Sequence, residues 1–80
     1  MTRKHYEMIA SVLYHRARAI VNSSANNQEK HYALFELRNT MYNFIDEFEQ
    51  ANPRFDSLRF AETCKVERHL NNIKVEIISS

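Results

Sequence analysis

The sequence contains no glycine. That absence excludes every phosphate loop that needs backbone to approach a ligand without a Cβ, the P-loop and the dinucleotide fingerprints among them. It also leaves asparagine as the residue best suited to left-handed helix ends. Asn22, Asn26, Asn27, Asn52, Asn71 and Asn72 fall at boundaries of the apolar periodicity. A single cysteine, Cys64, excludes an intramolecular disulfide and fits a reducing compartment, and no Cys/His spacing matches a zinc site. No apolar run approaches the roughly 20 residues of a membrane span, and no signal-peptide pattern is visible. A soluble, cytoplasmic protein with no membrane partner is expected. Neither charge sign is in excess, with 11 Lys/Arg against 10 Asp/Glu. That balance disfavours nucleic acid as a partner and excludes a strongly acidic DNA mimic. The charges are unevenly spread: residues 1–31 hold five bases and two acids, residues 32–52 one base and four acids.

What the chain does have is helical periodicity, and 80 residues suffice for one helical domain spanning 1–80. The clearest amphipathic stretch is HYALFELRNTMYNFIDEF, with Leu34, Leu37, Met41, Phe44, Ile45 and Phe48 on one side and Glu36, Asn39, Asn43, Asp46 and Glu47 on the other. A first helix is predicted from Arg3 to Val21 behind the N-cap Thr2, with Tyr6, Ile9, Leu13, Ala17, Ile20 and Val21 facing inward. NSSANNQ then links to a second helix from Gln28 to Gln50, capped by Ser23, Ser24 or Asn27. Asn52-Pro53 stops that helix, Asp56 caps a third over Ser57–Leu70, and Phe55 with Phe60 forms a hydrophobic staple. The tail, Ile73–Ile78, alternates like a short strand, yet Val66, Leu70, Ile73 and Ile77 also fit a helical stripe. The expected fold is all-α: a three-helix antiparallel bundle, its central helix sandwiched, with an extended or helical C-terminal tail.

Two stretches carry a resemblance. Arg3-Lys4-His5-Tyr6-x-x-Ile9-Ala10 and Asn52-Pro53-Arg54-Phe55-Asp56-x-x-Arg59-Phe60-x-x-x-Cys64 resemble a group of small phage and prophage proteins of unknown function. Members commonly carry glycine after the cysteine and stop there. Here Lys65 follows, with about fifteen further residues. The resemblance implies a phage or mobile-element origin and a compact helical fold, and it implies no activity. Short phage proteins of this kind include inhibitors of host defence, anti-CRISPR proteins among them.

No catalytic constellation is visible. His5, His15, His31 and His69 form no i,i+4 pair in ligand spacing and read as surface histidines. Cys64 and His69 are five apart, which points their side chains away from one another on a helix, so Cys64 reads as a buried structural thiol. Asp46, Glu47 and Glu49 read as a solvated acidic face. Arg54 and Arg59 are placed to pair with Asp46 or Glu49. The function expected is therefore a non-enzymatic, phage-encoded interaction domain, without cofactor or metal, that inhibits a host protein complex, with host defence the favoured target. Tyr14, Arg16, Arg18, Tyr42, Arg54 and Arg59 are the expected partner contacts, and the tail is a second contact, for a homodimer or for β-addition to the target. The rivals are a small dimeric helical DNA-binding regulator, reading DNA through Arg59, Lys65 and Arg68 on the third helix, and a virion component.

Overall fold

The computed structural model describes residues 2–79, with side chains described through Val75. Four helices follow one another: α1 (Arg3–Val21), α2 (Asn27–Ala51), α3 (Ser57–Cys64) and α4 (Val66–Ser79). The boundaries follow from local chemistry. Thr2 precedes α1, its N–H donating to Nδ1 of His5 at 3.2 Å. Asn26 caps α2: its carboxamide oxygen accepts from the N–H of Glu29 at 2.9 Å, and its amide nitrogen donates to the Glu29 carboxylate at 2.7 Å. This reciprocal box supersedes the expected caps Ser23, Ser24 and Asn27, because only Asn26 has a carboxylate three residues ahead of it. The pre-proline residue Asn52 is extended, at φ −145° and ψ 103°, which ends α2 at Ala51. The Asp56 carboxylate accepts from the N–H of Arg59 at 3.0 Å and starts α3.

The expected third helix is two helices. Cys64 and Val66 are both fully buried, yet residues two apart on one helix point about 160° away from each other. A continuous helix would bury one and expose the other. Lys65 resolves the conflict by adopting the left-handed conformation, φ 56° and ψ 19°. Its N–H donates to the carbonyl of Ala61 at 3.2 Å, closing α3, and its own carbonyl accepts from the N–H of His69 at 3.1 Å, opening α4. The tail is correspondingly helical rather than extended: α4 continues to Ser79 because Val66, Leu70 and Ile73 form a buried stripe. Side chains of Ile77 and Ile78 lie outside the described residues.

The α3–α4 arm runs alongside α1, and α2 runs antiparallel to both. Each of the three columns touches the other two, so α2 is not sandwiched. Ala10, Leu13 and Ala17 of α1, Leu34, Met41, Ile45 and Phe48 of α2, and Phe60, Cys64, Val66, Leu70 and Ile73 of the arm form the core. Burying a large side chain of this kind contributes about 1.5–3 kcal/mol. At the α2–α3 corner the Phe48 ring lies 4.9 Å from Tyr6, 5.3 Å from Phe55 and 5.6 Å from Phe60, in edge-on geometries that favour aromatic pairs. The expected staple forms, with Phe55 and Phe60 5.6 Å apart.

Candidate interaction groove

α1 and the α3–α4 arm run side by side, and a strip of depressions lies along their outer edge. It consists of three adjoining depressions. The first, about 280 Å³, is bounded by Arg3, Tyr6, Glu7, Arg54, Phe55, Asp56, Arg59 and Phe60. It shares Arg59 and Thr63 with the second, which adds Tyr14, Glu62 and Lys65. Tyr14 and Lys65 also bound the third, about 370 Å³, together with Arg18, Val21, Arg68, His69, Asn72 and Ile73.

Aromatic packing fixes the shape of the strip. The two motifs quoted above meet in space: Tyr6 of the first lies 4.7 Å from Phe55 of the second. Tyr14 stands half-buried at the middle, with the Lys65 ammonium 5.6 Å from its ring centroid and the His69 ring 6.1 Å away. The Lys65 ammonium over that ring is a cation–π contact. His69 Nδ1 lies 2.8 Å from the Lys65 carbonyl. A carbonyl only accepts, so Nδ1 carries the proton and Nε2 is left for other partners.

The charges within the strip are partly committed. Arg3 Nε–H donates to Glu7 at 3.1 Å, and Asp56 is occupied as a cap. Among the described residues, the guanidinium groups of Arg18, Arg54, Arg59 and Arg68 make neither a hydrogen bond nor an ion pair. Arg54 and Arg59 therefore do not pair with Asp46 or Glu49 as expected. They sit at the mouth of the aromatic depression instead. Outside the strip, α2 carries Glu36, Asp46, Glu47 and Glu49 exposed.

Four of the six expected contact residues, Tyr14, Arg18, Arg54 and Arg59, gather in this strip. Arg16 does not: it borders a separate recess between α1 and the start of α2, beside Ile20, Ser23 and Lys30. Tyr42 lies on the α2–α4 side, where its hydroxyl donates to Glu67 at 2.7 Å. That bond to a carboxylate, reinforced by partial burial and by the negative charge, raises the Tyr42 pKa above 10.0. Arg38 joins the same cluster, 3.6 Å from Glu67 and over the rings of Phe35 and Tyr42 at 5.2 and 5.7 Å. The cluster ties α4 to α2. Lys65, Arg68 and His69 were missing from the expected contacts, since only the left-handed break brings them beside Tyr14.

Burial pushes the Cys64 thiol up to about 11, leaving on the order of one thiolate in ten thousand at pH 7. Among the described residues no group of His, Cys, Asp and Glu is arranged to hold a metal ion, and no helix is long and apolar enough to cross a membrane. Comparison with protein-family models, with curated proteins and with solved structures finds no match.

Proposed function

We propose that this chain is a non-enzymatic interaction domain that binds a protein complex through the α1/α3–α4 groove and thereby inhibits it. The observation that carries the reading is the convergence, in one concave strip, of Tyr14 with the uncommitted guanidinium groups of Arg18, Arg54, Arg59 and Arg68. Arginine and tyrosine are the side chains that dominate binding at protein interfaces, and a concave setting lets water be excluded around them. The phage resemblance of the Arg3–Ala10 and Asn52–Cys64 motifs adds the biological frame, a host complex as target and host defence as its class.

The test is a tagged pull-down from host lysate, with and without nuclease, using the intact chain and an Arg54→Glu/Arg59→Glu variant. One stoichiometric partner complex that resists nuclease and is lost with the variant supports the reading. A small dimeric DNA-binding regulator is the second reading, favoured by Lys65 and Arg68 near the start of α4. It predicts nucleic acid in the captured fraction and a binding constant falling with salt at a log–log slope of about −0.9 per phosphate contact.

A further inference from the structure

We infer that the groove takes an acidic peptide segment of its partner in one orientation, carboxylates over Arg18, Lys65 and Arg68 and an apolar side chain in the recess floored by Tyr6, Phe55 and Phe60. The inference rests on the interaction reading above and specifies its ligand.

The two ends of the groove differ in chemistry. Among the described residues, the depression around Tyr14, Arg18, Lys65 and Arg68 has no carboxylate in its lining. Among the described residues the two guanidinium groups make no hydrogen bond or ion pair, and the ammonium stands over the Tyr14 ring. Like charges gathered together repel one another, and an incoming carboxylate relieves that repulsion while gaining charge-assisted hydrogen bonds. Lys65 is also the chain's positive-φ residue among those described, a backbone state that a Cβ disfavours and that glycine adopts freely. A lysine at that position sets an ammonium against Tyr14. At the other end, Glu7 is held by Arg3 and Asp56 by the start of α3, and aromatic rings form the floor. A nucleic-acid backbone running the full length would meet Glu7, Asp56 and Glu62. A peptide with a short acidic stretch at one end and an apolar residue at the other sets no negative charge against them. Tyr6 and Arg18 are twelve residues apart on α1, so the two features of the ligand stand about 18 Å apart, or about five to six residues of extended chain.

The experiment is amide-shift mapping by NMR on the full chain. The probes are the peptide Glu-Glu-Glu-Ser-Ser-Ser-Phe, its reversed sequence, the same peptide with Ser for Phe, an oligo-dT strand and inorganic phosphate. One of the two peptide orders is expected to shift the amides of Arg18, Lys65 and Arg68 together with Phe55 and Phe60, and to bind more tightly than the peptide lacking Phe. Arg18→Glu/Arg68→Glu is expected to weaken it about tenfold or more, while Arg16→Glu, outside the groove, leaves it unchanged. Equal binding of both orders, no gain from Phe, tighter binding of oligo-dT, or phosphate reproducing every shift would each overturn the inference. If peptides leave the groove unshifted while Arg54→Glu/Arg59→Glu still abolishes partner capture, the interaction reading stands and the oriented peptide does not. Peptide binding with no partner captured from lysate would instead sink the inhibitor reading and keep the site.

Discussion

Lys65 offers a test of the fold in which the competing architectures give opposite signs. Its φ of 56° costs a residue with a Cβ roughly 1–2 kcal/mol. Lys65→Gly removes that strain but frees the unfolded chain, which offsets about 0.5–1 kcal/mol of the gain. Lys65→Ala keeps the strain. Both substitutions lose the same ammonium and its contact with Tyr14, worth about 0.5 kcal/mol at an exposed site. The contact therefore cancels when the two variants are compared. The glycine variant is expected to be the more stable by about 0.5–1 kcal/mol, a Tm difference of about 2–8 °C for a chain this small. Urea and thermal melts followed by circular dichroism at 222 nm read the difference. Were Ser57–Leu70 one uninterrupted helix, glycine at its interior would be the less stable by about 1 kcal/mol. A glycine variant melting below the alanine variant would therefore refute the two-helix arm and, with it, the placement of Arg68 and His69 beside Tyr14.

Three further outcomes are expected. Asn26→Ala removes both halves of the cap on α2 and should lower stability by about 1 kcal/mol in urea melts, while Asn27→Ala, one position inside the helix, should cost less. Glu67→Gln removes the charge that holds the Tyr42 proton, so the tyrosine absorbance titration near 295 nm should show one residue moving to lower pH, and the α2–α4 contact should loosen. The Cys64 thiol should stay unreactive toward a disulfide reagent until the chain unfolds. Because its folded pKa of about 11 exceeds the ordinary value of 9.0, the stability it contributes is intact below pH 9 and is lost as pH rises from 9 to 11. The slope of that loss is at most about 1.4 kcal/mol per pH unit, and Cys64→Ala should flatten it.

Much of this fold is legible in short-range chemistry. Thr2, Asp56 and the Asn52-Pro53 step act within three or four residues of themselves, so α1, the end of α2 and the start of α3 follow from reading the chain. The Asn26 cap is equally local, but its signal lies in Glu29 three residues on and not in the residue nearest the helix. The break at Lys65 carried a signal of another kind. Val66, Leu70 and Ile73 do share a helical face, but that face is out of phase with Phe60 and Cys64, and two buried residues separated by one cannot belong to one stripe. The Phe55–Phe60 staple was readable from spacing, whereas the packing of Tyr6 on Phe48 and Phe55 joins segments more than forty residues apart, which no local pattern encodes. The same limit explains the site. Exposed bases were identifiable as a class, but which of them face one groove depends on how the helices sit together, and that separates Arg18, Arg54 and Arg59 from Arg16.

One residue thus belongs to both the fold and the groove, and the two roles can be pulled apart. The left-handed turn needs only a backbone that tolerates φ 56°, while the groove needs the ammonium that Lys65 holds 5.6 Å from the Tyr14 ring. Glycine satisfies the first requirement better than lysine and the second not at all. Lys65→Gly is therefore expected to melt no lower than the parent chain while weakening the acidic peptide by about threefold to fivefold, the loss of one exposed charge contact. Lys65→Arg should reverse the balance, retaining binding at parental stability. Titration of all three chains against the same peptide reads the affinities, and their melts read the fold. If Lys65→Gly binds as well as the parent, the lysine is a tolerated imperfection of the turn and not part of the recognition surface. If it both melts lower and binds less, stability and binding fall together, and the side chain supports the bend through Tyr14 rather than a ligand.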